Sequence, residues 1–280
     1  MGVYPRLVKS NEPGPKKRFG QHFLRDTGVL ERIVRWIQPT PDDLFLEIGA
    51  GDGALSARLA ERVARLLAIE VDLDRIPYLE STLAIFKSAT VISGDVLQLD
   101  LAGLVARYLQ PGQKLRVAGN LPYNIATAII EKLLHGGLPI EDMFFMVQLE
   151  VAQRITASPG SRQYGFLSVN CQHRADVQMG FRVSPACFVP RPQVSSAMLS
   201  FRPKVNLQDP AFDSDFEALG KAAFSYRRKT LENSLSRHPV FGAISRTLLN
   251  RAGIDGARRA EELSVQEYEY LALIFHKYFH

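Results

Sequence analysis

The chain has 280 residues, of which 46% are hydrophobic and 22% charged, enough for one large domain or a large and a small one. We expect neither a membrane span nor a secretory signal, because no apolar run is long enough to cross a bilayer and none follows the charged N-terminus. Cys171 and Cys187 lack paired Cys/His spacing, so we expect free thiols in a reducing cytoplasm and no bound metal.

The net charge of +5 is concentrated near the N-terminus. Residues 1–26 contain six Lys or Arg and two Asp or Glu, whereas residues 27–203 contain seventeen of each. Most of the excess comes from the consecutive Lys16, Lys17 and Arg18. A basic arm of this kind is either a solvated tail or an electrostatic contact for nucleic acid, and composition leaves both open.

A glycine-rich segment follows the first predicted strand, Leu44–Ile48, in the sequence EIGAGDGALS. Gly49, Gly51 and Gly53 allow the backbone to turn tightly and to approach a ligand at the start of a helix. Glu70 lies nineteen residues after Gly51, close to the offset at which an acid meets a ribose hydroxyl in nucleotide-binding βαβ units. The third-glycine spacing of the dinucleotide fingerprint is absent, which favours an adenosyl group; a structural tight turn is the alternative.

Strand and helix patterns then alternate, which predicts an α/β fold with a parallel sheet covered by helices on both faces. Predicted helices cover Val29–Ile37, Ala54–Val63, Asp74–Leu83, Leu97–Leu109 and Ile125–Leu134, and predicted strands cover Leu66–Ile69, Thr90–Ser93, Leu115–Ala118 and Met143–Gln148. Asp95 follows the third strand. It could bond an adenine amino group or cap the next helix, and the sequence favours neither.

A polar turn, Asn-Leu-Pro-Tyr, leaves the strand predicted over 115–118. The Asn120 amide oxygen and the Leu121 carbonyl can accept N–H bonds from an exocyclic amine. Pro122 favours an extended Leu121, and Tyr123 offers a face on which a base can stack. Ligands bind at the carboxyl ends of strands in such sheets, although four residues alone would favour an ordinary turn.

The pattern changes after residue 160. A helix over 164–173 and an antiparallel hairpin at the sheet edge are predicted, with Phe188 in the proline-rich loop as either a packing residue or a second wall for a base. The hairpin strands would be Asp176–Val183 and Ser196–Arg202, and the helices beyond them Phe212–Phe224, Arg227–Leu235, Val240–Arg251 and Val265–Phe275. The predicted start of one of these helices contains three cations, Arg227, Arg228 and Lys229. Positive charge is unfavourable at a helix N-terminus, so the cations either bind a partner or are solvated, and the sequence leaves both interpretations open.

These patterns predict a flexible tail over 1–15, a large domain with its basic arm over 16–203, and a small helical domain over 204–280.

In order and spacing, the motifs FGQHFL, EIGAGDGALS, GNLPYNIAT, EVAQRI, YGFLSV, FVPRPQVSSA and RRKTLENSL resemble the ribosomal RNA adenine N6,N6-dimethyltransferase family, most of all its bacterial small-subunit members. The resemblance runs from about Lys16 to the C-terminus. Ala50, Ala126 and Leu149 depart from the usual Pro, Ser and Lys, and only Leu149 puts a contact in doubt.

The resemblance implies a Rossmann-like class I S-adenosylmethionine-dependent methyltransferase sheet with a small C-terminal helical domain. The implied cofactor-binding residues are His22, Leu24, Gly49, Gly51, Glu70, Asp95 and Asn120. The implied catalytic residues are Asn120, Leu121, Pro122, Tyr123 and Phe188. The implied RNA-binding residues are Lys16, Lys17, Arg18, Arg227, Arg228 and Lys229.

The implied activity is a cytoplasmic one, the transfer of methyl groups from S-adenosylmethionine to N6 of two adjacent adenines in small-subunit ribosomal RNA. Its partner would be the pre-30S subunit, and we expect a monomer. Three alternatives are open: a large-subunit adenine dimethyltransferase with a related Asn-x-Pro-Tyr turn, a DNA adenine monomethyltransferase, and a non-catalytic RNA-binding assembly factor. Leu121 and RRKTLENSL favour the small-subunit enzyme by resemblance, and the intact Asn120, Tyr123 and Glu70 favour catalysis.

Overall fold

The structure is a computed structural model that describes residues 14–16, 20–204, 210–226 and 228–279. A seven-stranded sheet is its centre, with the strand order β4-β3-β2-β5-β6-β9-β7, and β1 and β8 form a separate two-stranded sheet. The strands are β1 (Phe23–Leu24), β2 (Leu44–Ile48), β3 (Arg65–Glu70), β4 (Ala89–Ser93), β5 (Leu115–Asn120), β6 (Ile140–Gln148), β7 (Ala175–Val183), β8 (Phe188–Val189) and β9 (Ser196–Pro203).

The middle of the large sheet is parallel. Leu46 of β2 lies opposite Leu67 of β3 on one side and Val117 of β5 on the other. Every residue of β2 is buried, as expected for a strand covered on both faces. Met146 of β6 pairs antiparallel with Met198 of β9, so the predicted α/β sheet and its antiparallel addition are confirmed.

The helices of this half of the chain are α1 (Thr27–Ile37), α2 (Ser56–Ala60), α3 (Ile76–Leu83), α4 (Leu101–Ala106) and α5 (Ala126–His135). Three of them are shorter than predicted, α3 by two residues at its start and α2 and α4 by more. Helix α4 begins at Leu101 because Asp100 accepts the Gly103 N–H as a cap, while Asp95 accepts the Leu97 N–H in a separate turn. After α2, side chains bond to the carbonyls of Arg58 and Ala60, which a longer helix would use itself.

Contacts divide the chain into two compact units, one of residues 1–149 and 179–202, the other of residues 150–178 and 203–280. The second contains most of α6 (Leu149–Ile155) and all of α7 (Phe166–Arg174), α8 (Pro210–Phe224), α9 (Leu231–Leu235), α10 (Ser245–Ala252) and α11 (Val265–Phe279). Phe216, Phe241 and Leu271 belong to its buried core. The all-helical pattern after 204 is confirmed, and the boundary between 203 and 204 stays a prediction about the domains.

Two predicted helix starts in this unit are wrong. Helix α10 begins at Ser245 and not at Val240. Helix α9 begins at Leu231, because the Thr230 side chain accepts the Asn233 N–H and caps it there. Arg228 and Lys229 therefore precede the cap, and Arg227 lies outside the described residues. Among the described helices, none is both long and apolar enough to cross a bilayer.

Candidate active site

Three parallel strands end at one edge of the sheet and bring the glycine loop, Glu70 and Asn120 together. The N–H groups of Gly49 and Ala50 donate to the Ile69 carbonyl at 3.0 and 3.1 Å, which ties the loop after β2 to the end of β3. Asn120 ends β5, the neighbour of β2 on the other side. The sequence predicted a parallel sheet, and in such a sheet the strands end at a common edge, as these three do.

The glycine loop needs its glycines for both conformation and contact. Gly49, Gly51 and Gly53 have φ of 71°, 58° and 83°, a region that side chains rarely adopt. A Cβ at Gly51 would lie 3.1 Å from the Phe23 ring. The loop therefore passes close beneath the N-terminal arm.

Glu70 holds this loop through its carboxylate. One oxygen accepts the Gly51 N–H at 2.7 Å, and the other accepts the N–H groups of Val71 and Asp72 at 3.0 and 2.8 Å. Burial raises the pKa of Glu70, and the three N–H bonds oppose that rise. The side chain is thus a structural anchor of the loop as well as a predicted ligand for ribose.

The Asn120 and Tyr123 side chains contact the N-terminal arm. The Asn120 amide nitrogen donates to the His22 carbonyl at 2.8 Å. The His22 ring stacks on the Tyr123 ring with centroids 5.4 Å apart and planes at 27°. The Tyr123 hydroxyl is 2.7 Å from the Ser196 hydroxyl, which orients the ring. The arm therefore occupies a face of the Tyr123 ring, where a base is predicted to stack.

The arm is held by the two-stranded sheet, in which Phe23 pairs with Val189 and Leu24 with Phe188. His22 Nδ1 also lies 2.8 Å from the Pro190 carbonyl. Phe188 is 3% exposed and packs in the core, so its predicted contact with a base would require rearrangement of this region. That role stays a prediction.

Phe23 borders two small cavities of about 50 and 60 Å³. Phe23, Gly49, Gly51 and Asn120 line both. The first also borders Leu24 and Glu47, and the second borders His22, Glu70, Leu121, Pro122 and Tyr123. The structure thus brings together all the predicted cofactor-binding and catalytic residues except Asp95 and Phe188.

Asp95 lines neither cavity and bonds to the Leu97 N–H at 2.9 Å. Asp95 therefore closes a turn and does not cap α4, whose cap is Asp100, and its contact with adenine stays a prediction.

Three charged residues at the loop were not identified from the sequence. Asp52 is buried and accepts from Arg25 Nη2 at 2.6 Å and from Arg75 Nη1 at 2.5 Å. The Arg75 guanidinium lies 4.2 Å from the Phe23 ring centroid. Asp52 stands inside EIGAGDGALS, but no spacing rule connects it to Arg25 or Arg75.

Glu47 was also missed, although it lines the first cavity and is 2% exposed. Burial raises the pKa of Glu47 to about 8, and the nearby Glu70 carboxylate adds to the rise. The Glu47 carboxyl is therefore mostly protonated at pH 7. An acid one residue before the end of a buried strand that leads into a glycine loop is a signal that could have identified it.

We expect Glu47→Gln to make the free energy of unfolding less sensitive to pH. Because the folded pKa is raised, folded wild-type protein keeps a proton that the unfolded chain releases between about pH 4.5 and 8, so its stability falls as pH rises through that window. At 1.36 kcal/mol per pH unit, the upper limit is about 5 kcal/mol. Urea denaturation at pH 5 and pH 9 should show the variant gaining relative to wild type at the higher pH. An unchanged difference would mean that Glu47 ionises normally.

The predicted RNA-binding residues have different outcomes. Lys16 Nζ lies 2.5 Å from both Asp72 and Asp74, so its charge is paired within the protein. Arg228 and Lys229 are exposed. Lys17, Arg18 and Arg227 lie outside the described residues. Within the described ranges, no three His, Cys, Asp or Glu residues are grouped as a metal site would require.

A glycine loop, a buried acid and an Asn-Leu-Pro-Tyr turn at the carboxyl edge of a largely parallel sheet form a Rossmann-like site for a nucleoside-containing ligand. The family described as "Ribosomal RNA adenine dimethylase" matches residues 14–277, so the chain belongs to that family.

Individual relatives agree with this assignment. A protein of Legionella pneumophila (strain Lens), named "Ribosomal RNA small subunit methyltransferase A", is 42% identical over 92% of this chain and 96% of its own. A crystal structure of a dimethyladenosine transferase from Plasmodium falciparum has a TM-score of 0.76 at 23% identity, covering 91% of this chain and 98% of the other. A structure titled "23S rRNA methyltransferase ErmE" has a TM-score of 0.68 at 24% identity, covering 91% and 100%. The predicted fold class is confirmed.

Proposed function

We propose that this protein transfers methyl groups from S-adenosylmethionine to N6 of two adjacent adenines in small-subunit ribosomal RNA, giving N6,N6-dimethyladenosine in ribosome biogenesis. The observation that carries the proposal is the position of Asn120 and Tyr123 beside the glycine loop, in a chain whose family match spans 14–277. The fold is equally compatible with a large-subunit enzyme. The 42% identity to a protein named for the small subunit favours small-subunit RNA as the substrate. The particle modified would then be a pre-30S subunit in the cytoplasm.

The lining of the two cavities fits S-adenosylmethionine. Glu70 offers a buried carboxylate to ribose hydroxyls, and the turn at Gly49 and Gly51 allows close approach of a ligand. Each cavity is much smaller than the roughly 300–1,000 Å³ that is typical of sites for small organic ligands. Entry of a nucleoside-sized molecule therefore requires the Phe23 ring to move, and His22 and Leu24 of the same arm would then contact it.

When bound, S-adenosylmethionine supplies an electrophilic sulfonium methyl group. The chain's task is to present the adenine amine, whose lone pair is delocalised into the ring. The Asn120 amide oxygen and the Leu121 carbonyl would accept its N–H bonds and stabilise charge that develops on nitrogen. Tyr123 would stack on the base once His22 leaves its ring, and burial raises the pKa of Tyr123, which keeps the hydroxyl protonated.

A monomethylated amine keeps one hydrogen and a lone pair, so a second transfer in the same geometry is chemically allowed. The exposed Arg228 and Lys229, together with Lys17, Arg18 and Arg227, would supply contacts to RNA phosphates. Lys16 would join them only if it left Asp72 and Asp74.

Nucleoside mass spectrometry of under-methylated small subunits, after incubation with the protein and S-adenosylmethionine, tests this proposal. We expect N6,N6-dimethyladenosine at two neighbouring adenines, with large subunits as the parallel control substrate. Modification of large-subunit RNA alone, or only monomethyladenosine at saturating cofactor, would overturn it. Absence of any turnover would favour a non-catalytic assembly factor.

Glu70→Ala should weaken S-adenosylmethionine binding by roughly 1.5–3 kcal/mol per charge-assisted hydrogen bond lost. It should also destabilise the loop, because the Gly51, Val71 and Asp72 N–H groups lose their acceptor. Glu70→Gln, which keeps one acceptor oxygen, should lose less cofactor affinity and less stability than Glu70→Ala. Titration calorimetry and urea denaturation of the two variants separate the effects. An unchanged affinity in Glu70→Ala would remove this side chain from the cofactor site.

A further inference from the structure

The second unit contains a cavity of about 600 Å³, roughly ten times either cavity beside Phe23. All of its lining residues belong to that unit. Sites for small organic ligands generally have volumes of about 300–1,000 Å³. Nothing in the methyl-transfer site described above uses this cavity.

The loop that borders the cavity is fixed by hydrogen bonds. Gln172 Nε2 donates to the carbonyls of Ile155 and Ala157 at 2.9 and 2.8 Å. The Ser168 hydroxyl donates to the Arg154 carbonyl at 2.5 Å and accepts the Gly165 N–H at 3.1 Å. These bonds hold the end of α6 against α7, so the cavity is preformed and a ligand would not have to order this loop.

Two half-buried aromatic rings form the apolar part of the lining. Phe166 packs so tightly on α8 that a Cβ at Gly220 would lie 2.6 Å from its ring. Phe224 stacks on Tyr268 with centroids 5.7 Å apart and contacts Tyr164 edge-on. Both rings are held from within the unit and border the cavity, which suits stacking of a planar base.

The polar lining favours an anionic ligand with hydrogen-bonding edges. Arg154 and Arg162 are exposed and Glu150 is the one acid of the lining, giving a net charge of +1 there. Guanidinium groups match phosphate oxygens, and the amides of Gln153 and Gln163 carry both donors and acceptors for a base edge.

We propose that this cavity binds one unpaired nucleotide of the RNA substrate, with its base against Phe166 and Phe224 and its phosphate at Arg162. The proposal rests on the RNA substrate of the proposed function and adds a second nucleotide site that does not undergo methylation. Single-stranded bases are recognised by such a combination of ring faces, amides and guanidinium groups.

The test fills the cavity without changing its charge. Gly165 lines it, has an extended φ of −164°, and a Cβ there would meet no atom within 4 Å. Gly165→Phe in the full-length protein should weaken binding to under-methylated small subunits by roughly 5- to 100-fold, as loss of a stacked base does. Gly165→Ala, which leaves the cavity open, is the matched control and should bind as wild type.

Arg162→Gln provides a second, charge-based variant. It should reduce the slope of log affinity against log salt by about 0.7–0.9, whereas Gly165→Phe should leave the slope unchanged. Arg251→Gln, an exposed arginine outside the cavity, is the charge-matched control and should leave the slope unchanged. Ultraviolet crosslinking with peptide mass spectrometry should place an RNA nucleotide on the peptide that contains Phe166 or Phe224.

Wild-type affinity and slope in folded Gly165→Phe and Arg162→Gln would overturn the proposal. So would adenosine monophosphate binding that Gly165→Phe abolishes while subunit affinity is unchanged, since the occupant would then be a free nucleotide. Dimethylation with normal affinity in Gly165→Phe would refute this site and leave the proposed function standing. Crosslinking at this cavity in a wild-type protein that produces no dimethyladenosine would support the nucleotide site and refute the proposed function.

Discussion

Asn120→Ala is expected to lower the single-turnover rate of methyl transfer by about 10²–10³, the usual effect of removing one preorganised group that stabilises developing charge. Its amide oxygen is the side-chain acceptor placed at the end of β5, beside the glycine loop. Affinity for RNA should change less than the rate, because this hydrogen bond strengthens as the amine nitrogen gains charge.

The same substitution also removes the bond from Asn120 to the His22 carbonyl, so a loosened arm must be distinguished from a lost acceptor. Asn120→Asp keeps an acceptor and loses that donor. If acceptance of the amine N–H is what matters, the Asp variant should keep a larger part of the rate than the Ala variant. Equal losses in both would assign the effect to the arm. A wild-type rate in Asn120→Ala would show that its amide does not act on the amine.

Asp52→Ala is expected to lower the free energy of unfolding by about 3–5 kcal/mol, as breaking a buried ion pair generally does. Asp52 and Arg75 are 3% and 2% exposed and their charged atoms lie 2.5 Å apart, with Arg25 on the other carboxylate oxygen. Without the carboxylate, the buried Arg75 guanidinium would have lost this counter-ion in a region that is nearly inaccessible to water.

Asp74→Ala is the matched control. Asp74 also pairs with a cation, Lys16, at 2.5 Å, but its side chain is 58% exposed. Exposed pairs contribute about 0–1 kcal/mol, so denaturation in urea at pH 7 should separate the two variants clearly. A loss below 1 kcal/mol in Asp52→Ala would mean that the loop rearranges to hydrate Arg75.

The elements that sequence patterns predicted correctly are those with local causes. The apolar run over 44–48 is buried on both faces, so its composition alone indicates a parallel strand. The glycines of the loop have the positive φ angles that their spacing suggested. Parallel strands end at the same edge, which agrees with the single site that the family resemblance implied for Glu70 and Asn120.

Local signals also explain the wrong boundaries. The predicted helix began at residue 227 and included the three cations, but Thr230 is the N-cap and α9 begins at Leu231. Likewise the turn at Asp95 and the cap at Asp100 divide a segment that its apolar spacing had predicted as one helix. Hydrophobic period predicts that a helix exists, and the side chain that satisfies its first N–H groups decides where it begins.

By itself, then, the sequence determined the α/β sheet, the loop and the set of side chains at its edge, because each depends on neighbours a few residues away or on strand polarity. Only the tertiary structure decided that His22 lies on Tyr123, that Phe188 is buried, and that Arg25 and Arg75 share Asp52. The Asp52–Arg75 pair joins residues 23 positions apart, and the His22–Tyr123 stack joins residues 101 positions apart. No hydrophobic periodicity encodes pairings over such distances in sequence. They are selected by which side chains fill the same space once the strands have paired, and so they become visible only in the folded chain.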